Sequence, residues 1–242
     1  ATTPASSVTK LAGAAAWPDG RHVAVGYTGD PGSKWSCLVL TYDAKGAEIG
    51  KALLNTQGPE DYCYDVAALV DGSAVIAGTT GSSGGSEFGG LLPRIDPTGK
   101  GLWSSKLGGK DDERMASLTA TATGFLLAGS LAPKGNNQTY DGLLIQTDLA
   151  GQVAWQKAYV GVGNNDYLAD AVVLASGRTL AVGTTNSKGA GGTDGWVLRA
   201  DAWGEVDCGK SGVCAGKKTV DCDDGNGCTA DACEGKAGCG HV

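Results

Sequence analysis

The stretch RIDPTGKGLW at residues 94–103 returns 52 residues later as QTDLAGQVAW at residues 146–155. A turn that occurs once needs no copy, so a repeated turn indicates a repeated structural unit. Extending both stretches outward divides residues 9–207 into four copies, with corresponding positions spaced by 51 to 54 residues.

Four columns of residues recur in step through these copies. A turn glycine stands near the start of each copy, at Gly20, Gly72, Gly124 and Gly177. A second glycine ends the next apolar run, at Gly26, Gly78, Gly129 and Gly183. An aspartate follows in each copy, at Asp43, Asp96, Asp148 and Asp201. A glycine comes three residues after each aspartate, at Gly46, Gly99, Gly151 and Gly204. Such agreement is not a chance result, so each copy is expected to be one structural unit.

Each copy predicts four short strands and almost no helix. In the third copy they cover about 115–121, 125–130, 142–147 and 153–159, bounded by turn-forming residues. No window has a sustained apolar period of 3.6 residues. Four-stranded units at this spacing are typical of propeller blades. The sequence therefore predicts an all-β fold, with a β-propeller of four blades of ~52 residues at 1–207.

The Asp-x-x-Gly turn is predicted to join the third and fourth strands of a blade. Its Asp can cap the turn through the side chain, and its Gly can take a positive φ. Trp103 and Trp155 follow the two middle turns and are predicted to pack between neighbouring blades. The first and last copies lack this Trp, at Gly50 and Val206. These are structural roles that need no ligand.

The phrase IDPTGKGLW resembles the tryptophan-docking motif of quinoprotein-like propellers. Together with Gly-rich loops such as TNSKGAGGTDG, it also resembles the repeats of bacterial secreted propellers of unassigned function. The resemblance covers residues 9–207 and implies architecture. The dehydrogenases of the quinoprotein group use more blades and cofactor-binding residues that this sequence does not show.

The repeat is incomplete at its C-terminal end and is preceded by an extra segment at its N-terminal end. Residues 1–8 have no counterpart in other copies, and the fourth copy runs out after Val206, where its last strand is expected. The N-terminal segment could supply that missing strand and remove an exposed edge. Alternatively, it pairs with another subunit, or further blades come from elsewhere.

Eight cysteines predict disulfides and an oxidising compartment. They are Cys37, Cys63, Cys208, Cys214, Cys222, Cys228, Cys233 and Cys239. Residues 208–242 hold six of them and few large apolar residues, which predicts a small module held by covalent links. Zinc is disfavoured because no Cys-x-x-Cys pair occurs. The first residue, Ala1, is typical of a processed chain. This residue and the cysteines favour a secreted or cell-surface protein.

The pairing of these cysteines is only partly predicted. Cys208 is expected to pair with Cys214, and the last four among themselves in one of three ways. The spacing of those four resembles the CDDGNPCT-type repeats on secreted proteins of myxobacteria and their relatives. Cys37 and Cys63 could bridge strands of the first blade or remain free buried thiols.

A dense group of oxygen-bearing side chains lies in the Cys-rich segment. Its members are Asp221, Asp223, Asp224 and Asn226. Carboxylate and amide oxygens suit Ca²⁺, so the group is a candidate calcium site. A solvated Asx-rich turn between two disulfides is the alternative. No other cofactor is required.

Charge and residue types narrow the functional classes. A net charge of −7 disfavours nucleic acid, and no apolar run approaches the ~20 residues that span a bilayer. No catalytic residue is predicted: the chain has two His, and carboxylates that recur before the first strands indicate turns. Four aromatic residues near loops could stack on sugars or pack blades: Trp17, Trp35, Tyr140 and Tyr167.

The sequence therefore predicts a non-enzymatic extracellular or cell-surface scaffold or interaction protein. One form of this role is self-association, for example into an extracellular filament. The alternative is a glycan-binding propeller, favoured if exposed aromatic side chains cluster on one face. A propeller enzyme, such as a quinone-dependent dehydrogenase or a glycosidase, is the third hypothesis and needs a unique buried carboxylate pair.

Overall fold

The computed structural model describes residues 8–29, 34–54, 60–81, 88–133, 139–159, 164–187 and 191–206, together with the backbone of 231–234 and 238–241. These residues form an all-β structure of seventeen strands, and none of them is helical.

The strands follow the repeat. The first copy contains β1 (Val8–Ala16), β2 (His22–Gly29), β3 (Trp35–Tyr42) and β4 (Glu48–Leu54). The second contains β5 (Glu60–Ala68), β6 (Ala74–Gly81), β7 (Phe88–Ile95) and β8 (Gly101–Leu107). The third contains β9 (Asp112–Ala120), β10 (Gly124–Ala132), β11 (Asp141–Asp148) and β12 (Val153–Tyr159). The fourth contains β13 (Asp166–Val173), β14 (Thr179–Thr185) and β15 (Asp194–Ala200), and the tail contains β16 (Asp231–Glu234) and β17 (Gly238–His241).

Each copy is an antiparallel meander in which consecutive strands pair. A single parallel bridge between Trp35 and Glu60 joins the first two meanders into one eight-stranded sheet. The fourth meander has three strands, and an isolated bridge from Ala200 to Val206 follows its last turn. Among the described strands, none of the fourth meander pairs with one of the first. The described residues therefore form four successive meanders without a closed ring.

The second recurring glycine is explained by a bulge in the first strand of every meander. This glycine lies opposite the bulge, where the neighbouring backbone comes close. A Cβ added at Gly129 would lie 2.0 Å from the carbonyl oxygen of Arg114, and one at Gly183 would lie 1.8 Å from that of Tyr167. Any side chain at these positions would collide with backbone, so the column admits only glycine.

The Asp-x-x-Gly turns take the conformation that the sequence predicts. In the first, Oδ1 of Asp43 accepts hydrogen bonds from the amides of Lys45 and Ala47, at 2.9 and 2.8 Å. The turns at Asp96, Asp148 and Asp201 have the same pair of bonds. All four turn glycines have φ between 76° and 86°. The Asp replaces the missing backbone partners of the turn, and the Gly supplies its left-handed residue.

The apolar core is divided into three clusters, each between two consecutive meanders. Examples are Val25 with Ile76, Leu92 with Leu127, and Leu144 with Leu198. Each inner meander is therefore buried on both sides, which explains why β6 and β10 are apolar or small along their whole length. We call the side of a meander that packs on the following one its forward face.

The two docking tryptophans lie at these interfaces. The ring of Trp103 lies on Gly151 of the next meander, within 2.7 Å of where a Cβ would be, and Trp155 lies on Gly204 in the same way. The indole N–H of Trp155 donates to the carbonyl of Ala202 at 3.1 Å. The first meander has Gly50 at the position of this Trp. There the backbone of the next turn packs directly against the glycine.

Cys37 and Cys63 form a disulfide with a Cα–Cα distance of 5.1 Å. The prediction that it lies within the first blade is wrong, because it joins β3 of the first meander to β5 of the second. Cys37 lies on the forward face of β3, and the strand opposite that face is the first strand of the next copy.

Several predicted residues lie outside the described part of the chain. They are residues 1–7 of the N-terminal segment, the cysteines Cys208, Cys214, Cys222 and Cys228, and the candidate calcium ligands Asp221, Asp223, Asp224 and Asn226. In the tail, β16 and β17 pair as an antiparallel hairpin that places Cys233 opposite Cys239 in register.

Candidate functional site

Seven aromatic side chains gather at one end of the strands. In a meander, the beginnings of the first and third strands lie beside the end of the second, so residues far apart in sequence meet there. We call this set the aromatic row: Tyr27, Trp35, Tyr62, Tyr64, Phe88, Tyr140 and Tyr167. Tyr167 is 39% exposed, and the others are half-buried.

The first half of the row is a compact cluster around Tyr27 and Tyr62. The ring of Tyr27 meets those of Trp35 and Tyr62 edge-on, with centroids 5.6 and 5.1 Å apart. Tyr62 lies nearly parallel to Tyr64 at 6.4 Å. These are the offset and edge-to-face geometries that aromatic pairs prefer, and they hold the rings of three strands in fixed positions.

Arg114 links this cluster to the other half of the row. Its guanidinium lies 4.6 Å from the ring centre of Phe88 and 5.2 Å from that of Tyr140. Asp112 holds it in place through two hydrogen bonds of 3.0 Å. Tyr140 in turn stacks on Tyr167 at 5.5 Å. The aromatic row, with Arg114, thus crosses all four meanders.

The row borders an open cavity of about 480 Å³. The bulged residues of all four first strands line it: Ala12, Tyr64, Ala116 and Ala169. Arg114 and Tyr167 complete the wall on the side of the row. A bulge re-aims side chains, and here it turns one residue of each first strand toward a shared space.

Burial keeps Tyr62 and Tyr64 neutral. It raises the pKa of Tyr64 to about 12, and burial, with the nearby Glu60 carboxylate, also raises the pKa of Tyr62. The hydroxyl of Tyr140 donates to Asp112 at 3.2 Å. The hydrogen bonds from Arg114 to Asp112 raise the guanidinium pKa, so the row carries a permanent cation among neutral rings.

A column of buried carboxylates lies nearby at one position of successive first strands, formed by Asp61, Glu113 and Asp166. Asp166 accepts hydrogen bonds from the amide of Asn186 and the hydroxyl of Ser187, at 3.2 and 2.7 Å. Glu113 accepts one from the amide of Gly109 at 2.6 Å. Asp166 and Glu113 hold backbone close to the strands, which is a structural role that recurs between copies.

Burial raises the pKa of Glu113 to about 7, and the negative charges of Asp111 and Asp112 add to the effect. Its second oxygen, Oε2, is buried and meets no hydrogen-bond partner among the described residues. The recurring carboxylates that the sequence marks before this strand are Asp111 and Asp112, and no sequence signal marked Glu113. No group of three or more His, Cys, Asp or Glu side chains in the described part of the chain is placed to hold a metal.

The structure separates the aromatic residues that the sequence marked as candidates. Trp35, Tyr140 and Tyr167 belong to the aromatic row, whereas Trp17 is buried between the first two meanders and donates to the carbonyl of Ser73 at 2.8 Å. The Asp-x-x-Gly turns lie at the opposite strand ends. The sequence did not mark the other four members of the row, which lie in β2, β5 and β7: Tyr27, Tyr62, Tyr64 and Phe88. The alternation Tyr-Cys-Tyr at 62–64 was the available signal.

Comparisons with known proteins identify no family. No protein-family model matches the chain, and no curated protein matches it. Among solved structures, the chain is similar to the crystal structure of an ACO/RPE65 chimera, with a TM-score of 0.46 and 12% sequence identity. The match covers 80% of this chain and 48% of that one, so the chain spans about half of its length. Within the described residues there is no helix long and apolar enough to cross a membrane.

Proposed function

We propose that this chain is a non-enzymatic extracellular interaction protein that binds carbohydrate along the aromatic row. The observation that carries the proposal is the row itself: seven rings and one fixed guanidinium, drawn from all four meanders, beside an open cavity. Ligand sites are concave and are lined by apolar and aromatic groups with a few fixed polar groups. The Cys37–Cys63 disulfide supports an oxidising, extracellular environment.

The chemistry of the row favours an uncharged polyhydroxyl ligand. Aromatic faces bind the apolar C–H faces of sugar rings, while the Arg114–Asp112 pair and the tyrosine hydroxyls offer donors and acceptors to sugar hydroxyls. Nucleic acid bases also stack on aromatic side chains, but phosphate requires a basic surface, and the chain carries a net charge of −7.

The proposal includes a β-propeller architecture, with the ring open between the fourth and the first meander of one chain. Four consecutive meanders that pack face to face, with their first strands around one cavity, support it. In propellers the blades surround a central channel, and binding residues come from the loops and strand ends at one face of the ring. The place of the aromatic row, at one end of the strands, supports this part of the proposal.

Binding is tested with the full chain on an array of neutral oligosaccharides, followed by titration calorimetry with the best binder. Tyr167→Ala removes the exposed ring of the stacked pair, and Arg114→Ala removes the cation between the two halves. Each is expected to weaken binding about tenfold or more. Trp203→Ala is the matched control, because Trp203 is 71% exposed but lies at the opposite strand ends. Absence of binding by the unaltered chain, or equal loss in the control, would contradict the proposal.

Self-association is a second candidate function, and a separate observation favours it. The forward face of the fourth meander is open to solvent, although it carries the same kind of apolar residues as the three buried forward faces.

A further inference from the structure

The three interfaces between meanders share one contact. An apolar side chain from the first strand of a meander lies on a small residue in the third strand of the preceding meander. Met115 lies on Gly90, with its Cγ 3.2 Å from where a Cβ would be, and Leu168 lies on Gly142 in the same way at 3.1 Å. In the first interface this pair is Cys63 with Cys37, joined covalently.

The chain contains a fourth pair whose members are not in contact. Leu11 holds the position of Met115 and Leu168, since each lies opposite the glycine of the second strand that faces the bulge. Gly195 holds the position of the small residue, six residues before the Asp of its turn. Leu11 is 50% exposed, and no heavy atom of the described residues lies within 4 Å of a Cβ placed on Gly195.

The apolar surroundings of Gly195 are also uncovered. Val197 is 65% exposed, whereas its counterparts Val39, Leu92 and Leu144 in the other third strands are fully buried. Val182 in β14 is 42% exposed, although the equivalent residues of β2, β6 and β10 are buried at 0%. The forward face of the fourth meander therefore has the composition of a buried interface without its cover.

A hydrogen bond between meanders follows the same pattern: it is formed at Asp65, whereas only its local part is formed at Asp170. Oδ2 of Asp65 accepts a hydrogen bond from the amide of Leu118 in the next meander at 2.8 Å, while its Oδ1 accepts one from Val66. Asp170 occupies the equivalent position, and its Oδ1 accepts the corresponding local bond from Ala171 at 2.8 Å. The counterpart of Leu118 on the first meander is Ala14, by the pairing of β1 with β2.

We propose that a second copy of this chain docks head to tail, with its Leu11 on Gly195 and its Ala14 amide donating to Asp170. The occupant is a second copy because the surface that complements the fourth meander is the chain's own first meander, and three internal interfaces show how the two surfaces fit. Such a contact is heterologous, so it closes into a ring or continues as a filament. It gives the self-association candidate a specific surface and is independent of carbohydrate binding.

The first experiment measures the mass of the full chain by sedimentation velocity over a range of concentrations. The unaltered protein is expected to form multiples of the chain that dissociate on dilution. Leu11→Asp buries an unpaired charge in the contact, and Gly195→Leu fills the space for Leu11. Each variant is therefore expected to raise the dissociation constant tenfold or more, so that the protein sediments mainly as a monomer. Val70→Asp is the control, because Val70 is 95% exposed on a turn away from this face.

A covalent test identifies the occupant. The double variant Leu11→Cys/Gly195→Cys copies the Cys37–Cys63 pair, so oxidation is expected to produce covalent species of two or more chains. A cross-linked product of single-chain mass would show that the chain closes on itself and would overturn the proposal. A monomeric unaltered protein would reject self-association altogether. Assemblies that Leu11→Asp and Gly195→Leu leave unchanged would keep self-association but reject this surface.

Discussion

Glu113 provides a direct test of how burial controls the stability of this chain. Its carboxylate is almost fully buried, and its pKa is raised to about 7 from an ordinary value of 4.5. Between these two values the folded state binds a proton that the unfolded state has lost, so stability falls as the pH rises through this window and is constant above it. At one pKa unit per ~1.4 kcal/mol, the loss between pH 4.5 and pH 8 is at most about 3 kcal/mol.

The substitution Glu113→Gln removes this ionisation and keeps an oxygen that can accept the hydrogen bond from Gly109. The variant is expected to match the unaltered protein at pH 4.5 and to exceed its free energy of unfolding by about 2–3 kcal/mol at pH 8. Urea unfolding at both values measures the difference. Glu48→Gln is the control, because Glu48 is exposed on β4. An equal gain in the control, or a gain for Glu113→Gln that does not change with pH, would refute the role of burial.

Two further changes test the packing between strands and between meanders. Gly129→Ala places a methyl group 2.0 Å from a carbonyl oxygen and is expected to lower the free energy of unfolding by about 3 kcal/mol. Gly101→Ala meets no atom of the described residues within 4 Å and should have almost no effect in the same urea series. Cys37→Ser/Cys63→Ser opens a link across 26 residues and is expected to cost about 3 kcal/mol in thermal unfolding, with unchanged melting as the contrary outcome.

The repeat made most of the fold predictable from sequence. A turn and a bulge each require glycine at one exact position, so positions such as Gly46 and Gly129 mark strand boundaries wherever they recur. The predicted strands of the third copy therefore lie within three residues of β9 to β12 at each end. Strand order within a meander then follows, because consecutive antiparallel strands need only short turns.

Contacts between meanders were less predictable. Cys37 and Cys63 look like a pair inside one copy until the forward face of β3 is known. The aromatic row depends on which strand ends of different meanders meet. Nothing local to Tyr27 or Phe88 indicates that they share a cluster with Tyr62, because their proximity is created by the stacking of meanders. The repeat predicts the strands and turns that all copies share. It does not predict the contacts of residues that differ from copy to copy.

The position of the disulfide has a mechanical consequence. Cys37–Cys63 ties the first meander to the second at the one interface where Gly50 stands in place of a docking tryptophan. The next two interfaces are held by Trp103 and Trp155 without a covalent bond between the described strands. Under tension along the chain, the disulfide keeps the first and second meanders together. The meanders therefore separate first at an interface where only a tryptophan packs on a glycine.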